Sequence, residues 1–108
     1  MSIVNTAPGD VITAGPLGPA LAGTATGTLV KTGILDVVRL IIPAGKAIPE
    51  HKAPGIITVH CLEGAVDFTT GGQTRRLDAG QLLYLIDGAP HSLRGVEDAS
   101  VLVTIFRR

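Results

Sequence analysis

Residues 56–77 read IITVHCLEGAVDFTTGGQTRRL, and their rhythm has a period of two residues. Ile57, Val59 and Cys61 alternate with Thr58, His60 and Leu62, and successive side chains of a strand point to opposite faces. Glu63-Gly64 interrupts this run, Ala65 to Thr70 resumes it, and Gly71-Gly72 then reads as a tight hairpin whose positive φ angles glycine tolerates. Gln73 to Leu77 is the return strand. A strand, a turn, a strand and a hairpin within twenty-two residues set the expectation for the chain.

Outward from this segment the same pattern repeats. Ile34 to Ile42 is rich in β-branched residues and stops at the turn Pro43-Ala44-Gly45. Asp78-Ala79-Gly80 turns into a strand over Gln81 to Ile86, and Asp87-Gly88-Ala89-Pro90 turns into another over His91 to Arg94. The last strand, Ser100 to Phe106, puts Val101, Val103 and Ile105 on one face and Leu102, Thr104 and Phe106 on the other. With 14 glycines and 7 prolines, no segment has several helical turns of apolar residues free of both. These signals predict an all-β sandwich or closed barrel with little or no helix. Residues 1–27 differ in kind: Pro8-Gly9, Gly15-Pro16 and Gly18-Pro19 break any helix. They read as an extended arm, becoming an edge strand near Thr24 to Lys31, ahead of a barrel over residues 28–108.

At 108 residues the chain has room for one modest core. Nine basic residues balance nine acidic ones, and only Phe68, Tyr84 and Phe106 are aromatic. That composition offers neither the positive field nor the stacking platform that nucleic acid requires, and no field for an anionic membrane. Cys61 is the single cysteine, so no internal disulfide is expected. No basic start with a continuous apolar run opens the chain, and no apolar stretch approaches a bilayer span. The expected setting is cytoplasmic.

Two spaced motifs carry a family resemblance. Gly45 is followed after five residues by His51-Lys52-Ala53, and that segment closes at Leu62-Glu63-Gly64. Gly80 is followed after five residues by Ile86-Asp87-Gly88-Ala89-Pro90-His91. The pattern resembles the cupin family of small β-barrels, and more particularly a group of small single-domain bacterial cupins with a degenerate metal motif. Within the resemblance, Ala53 stands where the family's first motif has its second histidine, and Ile57 where it has a glutamate. Ile86 stands at the second motif's proline and Gly95 where an asparagine is often found. The resemblance therefore implies a jelly-roll barrel, the double-stranded β-helix, in which His51 and His91 face each other across the mouth.

If the family register holds, Ile57, Val59 and Cys61 point inward and His60 outward. The ligand pocket is then expected to comprise His51, His91, Ile57, Val59 and Tyr84, with Leu82 or Tyr84 completing its walls. Tyr84 either offers its hydroxyl to the cavity or packs. The leading function is a small-molecule-binding barrel with an apolar cavity and two convergent histidines. The alternative is a metal-dependent enzyme of the oxygenase or isomerase class, holding a divalent transition metal through His51 and His91, the one cofactor the resemblance offers. Two imidazoles leave most of a coordination sphere to water, so no metal is assigned. An imidazole base acting without metal and a regulatory barrel acting through another protein complete the alternatives. No catalytic residue is named.

The remaining polar residues have plainer expectations. Cys61 reads as a small buried hydrophobe. Glu50 and Glu63 read as loop and turn charges, and the Arg75-Arg76 and Arg107-Arg108 pairs as solvated faces. His60 and Asp67 share a side by parity. A homodimer is expected, through Leu62 and the outer β-branched positions of Ile34 to Ile42.

Overall fold

The computed structural model describes residues 6–107. Its strands are β1 (Gly27–Lys31), β2 (Leu35–Ile42), β3 (Ala47–His51), β4 (Ile56–Glu63), β5 (Ala65–Thr70), β6 (Gln73–Asp78), β7 (Leu82–Leu85), β8 (His91–Gly95) and β9 (Ala99–Phe106). A five-stranded sheet in the order β1-β2-β9-β4-β7 faces a four-stranded sheet in the order β3-β8-β5-β6. Every pairing is antiparallel. This is a jelly-roll barrel.

The core lies between the two inner faces. Ile57, Val59 and Cys61 of β4 are buried, as are Val101 of β9 and Ile42 of β2. Val66, Phe68, Leu77 and Leu93 oppose them from the second sheet. Each such aliphatic or aromatic side chain, taken out of water, contributes about 1.5–3 kcal/mol. Gly71 and Gly72 both have positive φ, joining Thr70 to its partner Gln73 in the two-residue hairpin. Gly64 has a second constraint besides its φ of 74°: a Cβ there would collide with the carbonyl of Asp98.

Two elements depart from expectation. β3 is absent from the sequence reading because Lys46, Pro49 and Glu50 obscure its alternation, and only Ile48 packs against the core. As an edge strand it tolerates Pro49, whose missing N–H faces no partner strand. The arm contains a 3-10 turn over Gly18–Gly23 instead of continuous extended chain, with a proline in its first turn and Leu21 buried. The edge strand β1 begins at Gly27, so Thr24 and Thr26 lie before it. Thr24 instead donates to the Ala20 carbonyl, and the Thr26 hydroxyl accepts from the Ile41 N–H.

The arm lies along the outer face of the five-stranded sheet. Arg39 is buried there and donates to the carbonyls of Thr13 and Gly15. Glu63 is the second anchor. Its carboxylate accepts from the Leu17 N–H at 2.7 Å, the Gly18 N–H at 3.0 Å and the Ser100 hydroxyl at 2.7 Å. The expected role in the turn alone is therefore incomplete. Burial pushes the Glu63 carboxyl up, but those three bonds and the Arg39 charge outweigh it and hold the group below its ordinary value. Arg107 also departs from a solvated face: it donates to the buried Asp36 at 2.6 Å, with Lys31 at 3.8 Å from the same oxygen. The Arg107 bond, working against burial, holds the Asp36 carboxyl low. Arg108 lies outside the described residues.

Removing the Glu63 anchor with Glu63→Ala is expected to lower stability by about 1–3 kcal/mol and to expose the arm to a protease of broad specificity. Because the native carboxyl is lowered, its contribution is complete above the unfolded value of about 4.3. It is lost as the pH falls through the lower native value. Urea midpoints of wild type and variant should differ by a constant amount above that range and converge beneath it.

Candidate functional site

Between the sheets, near the end where β3 gives way to the Lys52-Ala53-Pro54 segment, lies a cavity of about 200 Å³. Val38 and Leu40 of β2, Ile57 and Val59 of β4, and Val103 and Ile105 of β9 line one side. Phe68, His91 and Leu93 line the other, with His51 and residues 52–54 at the mouth. A wider depression of about 420 Å³ lies beneath the arm, between Leu21, Thr26, Ile41 and Lys46. It brings no imidazoles together.

His51 and His91 are directly opposite each other in the β3–β8 ladder. The resemblance had implied rings facing each other across the mouth, whereas they are nearest neighbours on adjoining strands of one sheet. A register shift between Ile48 and His51 sets this pairing. Their ring centroids are 4.3 Å apart at 60°, and His91 stacks on Phe68 with centroids 5.6 Å apart at 9°. Phe68, His91 and His51 thus form a graded series, from buried to exposed, along the cavity wall.

The tautomers follow from the hydrogen bonds. His51 Nδ1 lies 3.0 Å from the Pro49 carbonyl, and His91 Nδ1 lies 3.0 Å from the Ala89 carbonyl. A carbonyl oxygen only accepts, so each Nδ1 carries a proton and each neutral ring keeps its lone pair on Nε2. The pair is therefore an acceptor pair when uncharged. Burial, the largest influence, pushes the His91 pKa down; the Ala89 carbonyl opposes this, and the neighbouring His51 adds to the lowering.

Other residues are placed as follows. Tyr84 does not line the cavity: it is 69% exposed on the outer side of β7, with Leu82 and Ile86 equally open. Leu83 and Leu85 occupy the inner positions there. This corrects the expected walls by one residue of strand parity. His60 is half-buried on the outer face between Leu82 and Leu102. Asp67 lies on the other sheet, between Arg76 and Arg94, so the two share no side. Glu50 borders an outer groove, away from the cavity. Cys61 is buried and donates to the Glu63 and Gly64 carbonyls, and desolvation pushes its thiol up. Phe68, Lys52 and the inner residues of β2 and β9 were absent from the expected pocket. The β9 alternation, Val101, Val103 and Ile105, held the signal for two of them.

The donor set does not suit a resident metal. A ring whose Nδ1–H is held by a carbonyl has the orientation typical of a ligating histidine. A transition ion nevertheless takes three or four protein donors, and the neighbouring positions hold Ala53 and Ile57. Among the described residues no three His, Cys, Asp or Glu side chains gather. No helix among them is long and apolar enough to cross a membrane.

A sequence profile described as Cupin domain matches residues 38–106. No curated protein matches the chain. Solved structures do. A conserved protein of unknown function from Streptococcus pyogenes is 29% identical with a TM-score of 0.72, covering 77% of this chain and 73% of that one. A cupin superfamily protein from Desulfitobacterium hafniense DCB-2 is 14% identical with a TM-score of 0.76, covering 92% and 100%. An RmlC-like cupin from Desulfovibrio desulfuricans is 23% identical with a TM-score of 0.73, covering 90% and 97%.

The lowered His91 pKa has a measurable sign. Between the native value and the unfolded value of about 6.5, the unfolded chain binds the proton and the native chain does not. Stability should therefore fall as the pH drops from about 7.5 through that window and level off beneath it. Urea midpoints of His91→Gln should lack this component of the slope.

Proposed function

The chain belongs to the cupin domain family, and from that premise we propose that it is a small-molecule-binding barrel of as yet unassigned role. The observation that carries this reading is the adjoining His51–His91 pair on the wall of a largely apolar cavity. Apolar walls with a few convergent polar groups are what ligand sites share. The cavity volume of about 200 Å³ suits a compact ligand with one or two polar atoms. In this reading Phe68 and His91 form the floor, and His51 at the rim meets the ligand's polar end.

Tag-free protein, dialysed against chelator, should still gain thermal stability from at least one member of a small-metabolite panel. A ligand at a hundred times its Kd stabilises by about 2.7 kcal/mol, a shift of several degrees for a domain this size. Val38→Phe, which fills the cavity from β2, should abolish the shift, while His60→Ala on the outer face should preserve it. Stoichiometric iron, manganese, nickel or zinc retained through dialysis, with turnover lost in His51→Ala and His91→Ala, would instead establish the metal-dependent enzyme.

The same proposal includes a homodimer. Leu82, Tyr84 and Ile86 are 61%, 69% and 71% exposed; the first two lie on β7, at an edge of the five-stranded sheet, and Ile86 directly follows it. An apolar strip on an unpaired edge favours association. The outer face of β2, the earlier candidate, is occupied by the arm through Arg39 and Ile41. Sedimentation at micromolar concentration should give the dimer, and Tyr84→Lys the monomer.

A further inference from the structure

The cavity contains a charge that its apolar walls and paired imidazoles do not explain. Lys52 lines it, yet its ammonium has neither ion pair nor hydrogen bond among the described residues. Lys31 and Arg107 are committed to Asp36, Arg76 to Asp78 and Glu97, and Arg39 to the arm, while Lys46, Arg75 and Arg94, which also lack an ion pair among the described residues, do not line the cavity. No aspartate or glutamate lines the cavity. Lys52 is exposed and is the only Lys, Arg, Asp or Glu among the described residues that line the cavity. The chain places it there because β3 ends at His51, after which residues 52–54 leave the strand and line the cavity.

The two polar features ask for different chemistry. The imidazoles, with Nδ1 held by carbonyls, present lone pairs, which repel a carboxylate and accept from a hydroxyl. The ammonium attracts a carboxylate and repels a cation. An apolar cavity of about 150 Å³ holds a benzene ring, so about 200 Å³ accommodates a single ring with small substituents.

We propose that the ligand is a compact hydroxy acid with one ring, its carboxylate against Lys52 and its hydroxyl donating to the His51–His91 pair. This rests on the small-molecule reading of the cavity and adds the ligand's charge, size and orientation. Both the apolar body and the two polar ends are needed: the ring displaces water from the walls, and the ends fix its direction.

The test is isothermal titration of the full chain with benzoate, the three monohydroxybenzoates, phenol and benzylammonium. At least one hydroxybenzoate should bind more tightly than benzoate, phenol or benzylammonium. Lys52→Met should weaken that acid by up to about fivefold, the scale of one exposed charge contact, while leaving phenol unchanged, and Lys52→Arg should restore it. Lys52 is exposed, so its replacement leaves the fold intact. Phenol binding as well as every acid, or acid binding indifferent to Lys52→Met, overturns the hydroxy-acid assignment and leaves the cavity reading standing. Binding of none of these compounds overturns this inference. The cavity reading falls only if the broader metabolite panel also gives no shift that Val38→Phe removes.

Discussion

Ile57 lies opposite Ile105, Val59 opposite Val103, and Cys61 opposite Val101, and this apolar ladder between β4 and β9 fixes the character of the interior. Its side chains present one continuous surface to Phe68, Val66 and Leu93 of the other sheet. At one end that surface closes into solid core around Cys61 and Val101, both fully buried. Toward the other it leaves the cavity beside Ile57, Val103 and Ile105. The walls are oily because the position that would supply a carboxylate in the resembling motif is Ile57. That residue strengthens the core and withdraws a metal donor in one step.

The consequence for the histidines is electrostatic. A buried imidazole beside Phe68 and a second imidazole is penalised for charging, and both rings already donate through Nδ1 to backbone carbonyls. What remains to each ring, when uncharged, is an acceptor lone pair on Nε2. Lys52 is the one charged residue among the described residues lining the same cavity.

On the outer face the logic is inverted, and polar groups do the organising. Glu63 and Arg39 lie beneath the arm and satisfy backbone groups that would otherwise lose their water, and Ser100 donates to the Glu63 carboxylate. A 3-10 turn with its own donors held by a carboxylate covers the sheet without adding a strand. This leaves β7, on the far edge, as the apolar strip still open.

Much of the fold was legible from local pattern. The alternation of β4, the Gly71-Gly72 hairpin and the turn at Asp87-Gly88 each depend on neighbouring residues only. Their strands therefore fall within a residue or two of the expected bounds. The cavity lining was legible in part: His51 and His91 follow from the spacing of the cupin motifs, and Ile57 and Val59 from strand parity in that family's register. Tyr84 was misplaced because an apolar residue on a strand signals a buried face only when that face is covered, and coverage depends on sheet order. Glu63 shows the same limit, since its backbone partners lie 46 and 45 positions away in a segment with no periodicity. Period and turn chemistry are properties of a few adjacent residues, so the sequence alone determined every strand but β3, together with the alternation of side chains along each. Register, edge and distant partner arise only when sheets close on each other. The tertiary structure alone therefore decided that two imidazoles pair side by side, that Lys52 lines their cavity, and that the arm docks on a carboxylate.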